Sequence, residues 1–477
     1  MTEHFGTTFK TVAPEPGATF PSDARPCDGQ ALQAAIGSGR TTRADSLKVL
    51  RTAILQHGRH FRVFSDLRLD EARRDAARAD ADRGTRLSSG VDGLALTIKA
   101  NIPYLGLLWT EGSGLFAGRR AEARAAAVER LEAAGAVTIG STTMTELAMY
   151  APDNPFEPVA VNPWAPRRTP GGSSSGAGVA AALGLGHIHL GTDSGGSIRN
   201  PALHCGVVGF KPSLDRWPLE GVPCYAPSLD TLGLAARSMA DAIAVDNVLH
   251  PAEKEAEASN ARWLVPLRLI EAVCDRATLT LFERAVAAIA TAMPVEAIDL
   301  DGWTAAERAA GLVSQAETAC ATRMLDRSRL HPRLAERLER GDGISETELD
   351  AAKATCTAFA ACLSERLGSD GILLTPTWPF RAPLIHQKST VVQGRRAPVD
   401  PSRNVFVRAA NAAGAPAVSL PAGWYPGMVP FGIQAMAVAG ADATLLDACR
   451  RIEELIGCSR QTAGTIERGE ASRPDSG

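Results

Sequence analysis

Hydrophobic and polar positions divide this chain into alternating helical and extended stretches. SLKVLRTAIL and LDEARRDAARADADR carry apolar residues at helical spacing among many Ala and Arg, predicting two or three surface helices over residues 28–83. VDGLALTIKANI, from Val91, reads as a strand with Lys99 near its end. RAEARAAAVERLEAAGA reads as a helix ended by Gly135, and VTIGS after it as a short buried strand, together one αβ step. Ala177–Leu185 is predicted as a helix of small residues and HIHLGTD as a strand leading out of it. From Ala235 helices dominate through Ala360, RATLTLFERAVAAIATAM among them. GILLTPTWP, AGAPAVSLPAGW and FGIQAMAVAG read as further strands and ATLLDACRRIEELIG as a closing helix. Irregular alternation without an internal repeat predicts the α/β class: one large domain with a central mixed β-sheet surrounded by helices. Its expected extent is residues 27–458, with N-terminal helices over 28–83, a core over 91–235, a helical insert over roughly 236–360 and C-terminal core segments over 365–458. Residues 1–26, rich in Pro, Gly and Thr, read as a loose arm, and 459–477 as a polar tail. Neither the arm nor the insert is set off by a clean linker, so both are expected to be integral to the domain.

Composition narrows the function classes. The 477 residues are 45% hydrophobic, which suits a large buried core, and the formal charge of −3 gives no basic field for nucleic acid. No apolar run reaches the length of a membrane span, and MTEHFGTTFKTVAPEPG has no basic region followed by an apolar stretch; a cytoplasmic protein without membrane contact is expected. Nine scattered cysteines form no CxxC pair, which fits reduced thiols. The histidines show no metal spacing; His187 and His189 in HIHL read as polar residues on one strand face rather than ligands, so neither metal nor cofactor is expected.

The stretch GGSSSGAGVAAALGLGHIHLGTDSGGSIRNPA, Gly171 to Ala202, carries the candidate chemistry. Two serine clusters framed by glycines are joined by a small-residue run, an arrangement no packed core requires. In GTDSGGS, consecutive backbone N–H groups at a strand end can bind an oxyanion, and Gly195 and Gly196 remove side chains that would block them. A serine there, Ser197, can attack a carbonyl if a base activates it; read by itself the segment is equally a flexible turn. GGSSSG also matches GxSxG with Ser174 at its centre. The preceding NPWAPRRTP cannot form the strand that such an elbow follows, so the match is formal only.

Together these clusters resemble the signature of the amidase signature family, the Ser-cisSer-Lys amidohydrolases: GGSSGG, a helix, then GTDxGGSxRxP, at matching spacing. VDGLALTIKANI resembles the family's lysine strand, and TEGSGLF, AAAVERLEAAGAVTIGSTTMTELA, VNPWAPRRTPGG, LLTPTWP and RAANAAGAPAVSLPAGW resemble further family segments in the same order. The resemblance implies Ser197 as nucleophile, Ser173 as a bridging serine after a cis peptide, and Lys99 as a base that must be neutral. It further implies the N–H groups of Ser194, Gly195, Gly196 and Ser197 as an oxyanion hole. Ser174 is expected to support this network, and Asp193 and Arg199 to brace the turn as an ion pair.

Three residues depart from the family pattern. Ala100 follows the lysine where an acid is usual. Ser175 replaces a common glycine, as in members acting on small urea-like amides. Asn200 stands where malonamidase-type members carry an arginine for a substrate carboxylate. The resemblance implies hydrolysis of a small-molecule amide to a carboxylate and ammonia or an amine. Two other readings stay open: the amidase subunit of a tRNA-dependent amidotransferase, and a biosynthetic acyl-transfer member or scaffold. Homodimers are common in the family. The segment YAPDNPFEP and the aromatics Trp217, Tyr225, Trp378 and Phe380 are candidates for lining the acyl pocket.

Overall fold

A computed structural model describes residues 28–149, 154, 156–157, 159–251, 261–399 and 404–457; the expected arm and tail lie outside them. Its strands are β1 (Phe64–Leu67), β2 (Ala95–Lys99), β3 (Val137–Thr142), β4 (Ile188–Asp193), β5 (Val208–Lys211), β6 (Thr231–Ala236), β7 (Arg262–Val265), β8 (Val295–Ala297), β9 (Gly371–Pro376), β10 (Ser389–Val392), β11 (Arg395–Pro398), β12 (Ala417–Tyr425) and β13 (Val429–Met436). Eleven of them form one mixed sheet in the order β1-β3-β2-β4-β6-β5-β12-β13-β9-β7-β8, while β10 and β11 form a separate hairpin. The strands β3, β2 and β4 run parallel, as do β9, β7 and β8; the joins between these groups are antiparallel. The expected α/β class with a central mixed sheet is therefore the observed one.

Strands β2, β3, β4, β5, β6, β9 and β13 are buried at every residue. Both sheet faces are covered by helices, so these strands read as continuous apolar runs rather than alternating ones. That explains why β5, β6 and β7 escape a period-two reading. The segment 28–83 holds the helices Gly29–Gly37, Arg43–Ala53 and Leu69–Arg83, but also β1, an edge strand not expected there. The insert likewise contains β7 and β8 among its helices. The helix expected from Arg120 begins only at Ala126. Before it the chain is extended, with the Ala121 N–H on Leu107 O (3.0 Å) and the Ala125 N–H on Pro103 O (3.0 Å).

The small-residue helix Ser175–Leu183 is buried throughout. A Cβ at Gly176 would lie 2.6 Å from Val63 O, and one at Gly178 would lie 2.8 Å from Pro201 O. Neither distance is tolerable for carbon against a backbone oxygen, so this helix reaches its neighbours only through glycine. Its N-terminus carries one serine cluster and β4, which follows it, delivers the other.

Candidate active site

Parallel pairing places the carboxyl ends of β2 and β4 side by side, with Ile98 opposite Leu190. Lys99 and Asp193 are the last residues of these strands. Open α/β sheets bind ligands at such strand ends. A surface cleft lined by Arg78, Tyr104, Arg124 and Glu132 lies beside Val137, at the opposite end of the parallel strands from Lys99.

Lys99 is fully buried. Its Nζ lies 2.6 Å from Ser173 Oγ and 2.7 Å from Thr192 Oγ1. Asn101 Nδ2 donates to the same Thr192 oxygen at 3.3 Å. Burial lowers the Lys99 pKa from 10.5 to about 7, while the carboxylates of Asp193 and Asp230 pull it upward. A neutral amine there can accept a proton from Ser173 while donating to Thr192. The Gly172–Ser173 peptide is cis, as the resemblance implies. The Ser173 carbonyl is fixed by the Thr145 N–H (3.1 Å).

The second serine cluster is tied to the first through the backbone: the Ser174 N–H donates to Ser197 O (3.1 Å). Ser174 is fully buried, its Oγ 3.4 Å from Thr192 O, and so serves the interior of the site. Ser173 is buried, whereas Ser197 is partly exposed, which suits an inner bridging group and an outer reacting one. No hydrogen bond from the Ser197 hydroxyl to another described residue is present.

Asp193 and Arg199 form the expected ion pair, both fully buried, through two bonds of 3.1 and 2.9 Å. Asp193 also accepts the Gly196 N–H (2.7 Å) and the Ile198 N–H (3.1 Å). Burial alone would raise its pKa, but the Arg199 guanidinium, Lys211 and the Gly196 N–H together hold it well below the usual carboxylate range. One expectation needs correction here. The Gly196 N–H is committed to Asp193 and so is not free to join the other three. The N–H groups of Ser194, Gly195 and Ser197 have no acceptor among the described residues. A glycine remains essential at 196: φ is +107°, and a Cβ would lie 2.4 Å from Val407 Cγ2.

Arg199 spends its other donors on Val407 O (2.6 Å), Gln434 Oε1 (2.8 Å) and Asn411 Oδ1 (2.6 Å). Asn411 Nδ2 returns to Asp193 O (3.1 Å) and Oδ1 (3.0 Å). Removing one partner of a buried pair strands the other's charge. Arg199→Met is therefore expected to lower the unfolding free energy by about 3–5 kcal/mol, read from urea denaturation; a loss within experimental error would mean that the network does not brace the turn.

Several residues of the site are not singled out by the sequence, although Asn411 lies in RAANAAGAPAVSLPAGW and Gln434 in FGIQAMAVAG. Asn411 and Gln434 come from distant segments, and Asp230 is buried beside the turn with its carboxylate on the Tyr225 and Ala226 N–H groups (2.8 and 2.9 Å). Asn101 and Thr192 were within reach of a sequence argument, since one lies two residues after the lysine and the other inside GTD. Ala100 is fully buried and contributes only backbone bonds to Thr142 and Glu111. Ser175 Oγ is 3.5 Å from Thr143 O. Asn200 Nδ2 donates to Asn404 Oδ1 (3.0 Å), so no charge stands at that position.

Of the candidate pocket aromatics, Trp217 is instead a core residue, with its Nε1 on Asp246 (2.9 Å) and its ring against Phe210. Trp378 and Phe380 meet edge to face within a buried cluster with Leu203 and Val392. Tyr225 is half-buried, with its hydroxyl on the Glu111 carboxylate. Part of YAPDNPFEP lies outside the described residues. His189, in β4, meets Thr97 Oγ1 through Nδ1 (2.8 Å) as a polar strand residue does, whereas His187 stands just before the strand and takes the Ala95 N–H on Nδ1 (3.1 Å). Among the described residues no group of three or more His, Cys, Asp or Glu is arranged to hold a metal ion, and no helix is long and apolar enough to cross a membrane.

Comparison with known proteins identifies the chain's relatives. The Amidase family model matches residues 60–268. A glutamyl-tRNA(Gln) amidotransferase subunit from Thermus thermophilus is 32% identical over 407 residues, covering 76% of this chain and 84% of that protein. Its namesake from Chloroflexus aurantiacus is 39% identical over 221 residues, and there the chain spans only 45% of the relative's length. A crystal structure described as an amidase superposes with a TM-score of 0.83 at 28% identity, covering 90% of this chain and 99% of the other.

Proposed function

This chain belongs to the amidase signature family, and we propose that it is a free-standing amidase acting on a small neutral amide through a Ser197 acyl-enzyme. The observation that carries this reading is the buried Lys99 Nζ within 2.6 Å of Ser173 Oγ. Neutral Lys99 takes the Ser173 proton as Ser173 takes that of Ser197, and the Ser197 Oγ–carbonyl bond forms. The N–H groups of Ser194, Gly195 and Ser197 then face the developing oxyanion. The relay returns its proton to the leaving nitrogen, the C–N bond breaks, and ammonia or an amine departs. Water, activated by the same relay, adds to the acyl carbon and frees the carboxylate and Ser197. No metal or cofactor takes part in this scheme. The side chain at position 200 is itself uncharged and bonded to Asn404, so it offers a substrate carboxylate no charged partner of its own.

A second reading has specific support: the two relatives compared with the chain are named as amidotransferase subunits. In that case the same site releases ammonia to a partner protein instead of to water. Ammonia release by the purified chain from aryl, aliphatic and urea-type amides separates the two. Release from at least one class by the chain alone is expected. Silence on every amide, with a second protein co-purifying from the native host, would favour the partner-dependent reading.

A further inference from the structure

The insert helix Trp303–Ala321 touches the candidate catalytic turn through an intermediary. At its N-terminal end the Trp303 Nε1–H donates to Val405 O (2.7 Å), and Glu307 Oε1 pairs with Arg408 Nη1 (2.7 Å). Nearer its C-terminal end, Glu317 accepts the Ser228 N–H (3.0 Å) and hydroxyl (2.5 Å), on the segment that leads into Asp230. The helix thus straddles the two segments that flank the turn.

Val407 and Arg408 press directly on that turn. A Cβ at Gly196 would meet Val407 Cγ2 at 2.4 Å, and a Cβ at Gly195 would meet Arg408 Nε at 3.3 Å. Two consecutive side chains therefore lie over the two consecutive glycines. The opposite end of the guanidinium lies against the insert helix, where a Cβ at Gly311 would sit 3.2 Å from Arg408 Nη1. Arg408 and Glu307 each keep only 11% of their side-chain surface exposed. Asp193 holds the turn through Gly196 N–H and Ile198 N–H, but the peptide of Gly195 has no such bond.

We propose that Arg408, oriented by Glu307 of the insert, is a positioning residue that fixes the Gly195 peptide so that its N–H faces the oxyanion. The inference rests on Ser197 being the nucleophile. Arginine suits this geometry better than lysine: its rigid planar fork reaches Glu307 with one nitrogen while another lies over Gly195, whereas a lysine offers a single point of contact. Its positive charge beside the turn further favours a negative oxygen there. The helical insert thereby acts on the rate of the chemical step.

The test uses the full-length chain and a fluorophosphonate, whose serine adduct places an oxygen where the oxyanion forms. The Arg408→Met variant is expected to be labelled about tenfold more slowly or worse, short of the about 10²–10³-fold cost of removing an oxyanion donor outright. Arg408→Lys should recover part of that loss, and Glu307→Gln should slow labelling severalfold. With an amide substrate the loss should fall on kcat, with KM within about threefold of wild type. Labelling of Arg408→Met within about threefold of wild type would overturn the proposal, as would a loss confined to KM. Should Arg408→Met fail to fold, unchanged labelling of Glu307→Gln would overturn it instead. Wild-type protein that takes no label, or Ser197→Ala that takes it equally fast, would overturn the nucleophile reading first and so separate the two.

Discussion

Ser197→Ala is expected to abolish amide hydrolysis and leave the fold unchanged. Ser197 is partly exposed, and among the described residues its hydroxyl makes no hydrogen bond. The backbone bonds that hold the turn, Gly196 N–H and Ile198 N–H to Asp193 and Ser174 N–H to Ser197 O, do not involve it. Replacing it by a methyl group should therefore move stability by no more than about 0.5 kcal/mol, as at other surface positions free of special contacts. Activity falls much further. Without the oxygen no acyl-enzyme forms, and what remains is the weak catalysis that the oxyanion donors and binding give to direct attack by water; a loss of about 10⁴-fold or more follows. Ammonia release and thermal melting on the same preparation check both halves. Retained activity at an unchanged melting temperature would exclude Ser197 as the nucleophile.

Local pattern carried much of the molecule. Lys99 at a strand end, the glycines that let two backbones approach, and the small-residue helix between the serine clusters each have a short-range cause, and each is found where the pattern put it. The segments RAANAAGAPAVSLPAGW and FGIQAMAVAG were legible, but not the long-range partnerships their residues make. Asn411 and Gln434 complete the Asp193–Arg199 network from segments more than 200 residues away, and no spacing rule connects them. Strands buried on both faces carry no alternation; VGFK and RWLV are too short to tell from loop. Trp217 shows the same limit for side chains, since an aromatic that packs on Phe210 and one that lines a pocket look alike in sequence. The Gly196 N–H failed for a subtler reason: a glycine in an oxyanion motif can serve the conformation of the turn, through its positive φ and its bond to Asp193, rather than the oxyanion.

Lys99→Met should cost about 10³-fold in kcat/KM, within the usual range for removing a general base. The argument is the lysine's position. It is buried with a serine hydroxyl at 2.6 Å and a threonine hydroxyl at 2.7 Å, and among the described residues no carboxylate touches it. Burial holds its pKa at about 7 against the pull of Asp193 and Asp230. Below that value the ammonium has no lone pair for Ser173, so wild-type kcat/KM should rise tenfold per pH unit and level off above pH about 7. In Lys99→Met the residual rate should lose that limb. The same protonation appears in stability. The unfolded chain keeps this proton up to 10.5 and the folded chain only to about 7, so between those values stability rises with pH. Lys211, buried with its Nζ on Pro212 O at 2.6 Å and also lowered to about 7, contributes a rise of the same sign. The difference between wild type and Lys99→Met in urea denaturation across that window isolates Lys99: the variant should gain less stability with rising pH. A pH–rate limb that survives in Lys99→Met, or a loss of less than about threefold, would assign the base to another group. Lys211 would then be the residue to replace next, because it is buried near the same Asp193–Arg199 pair.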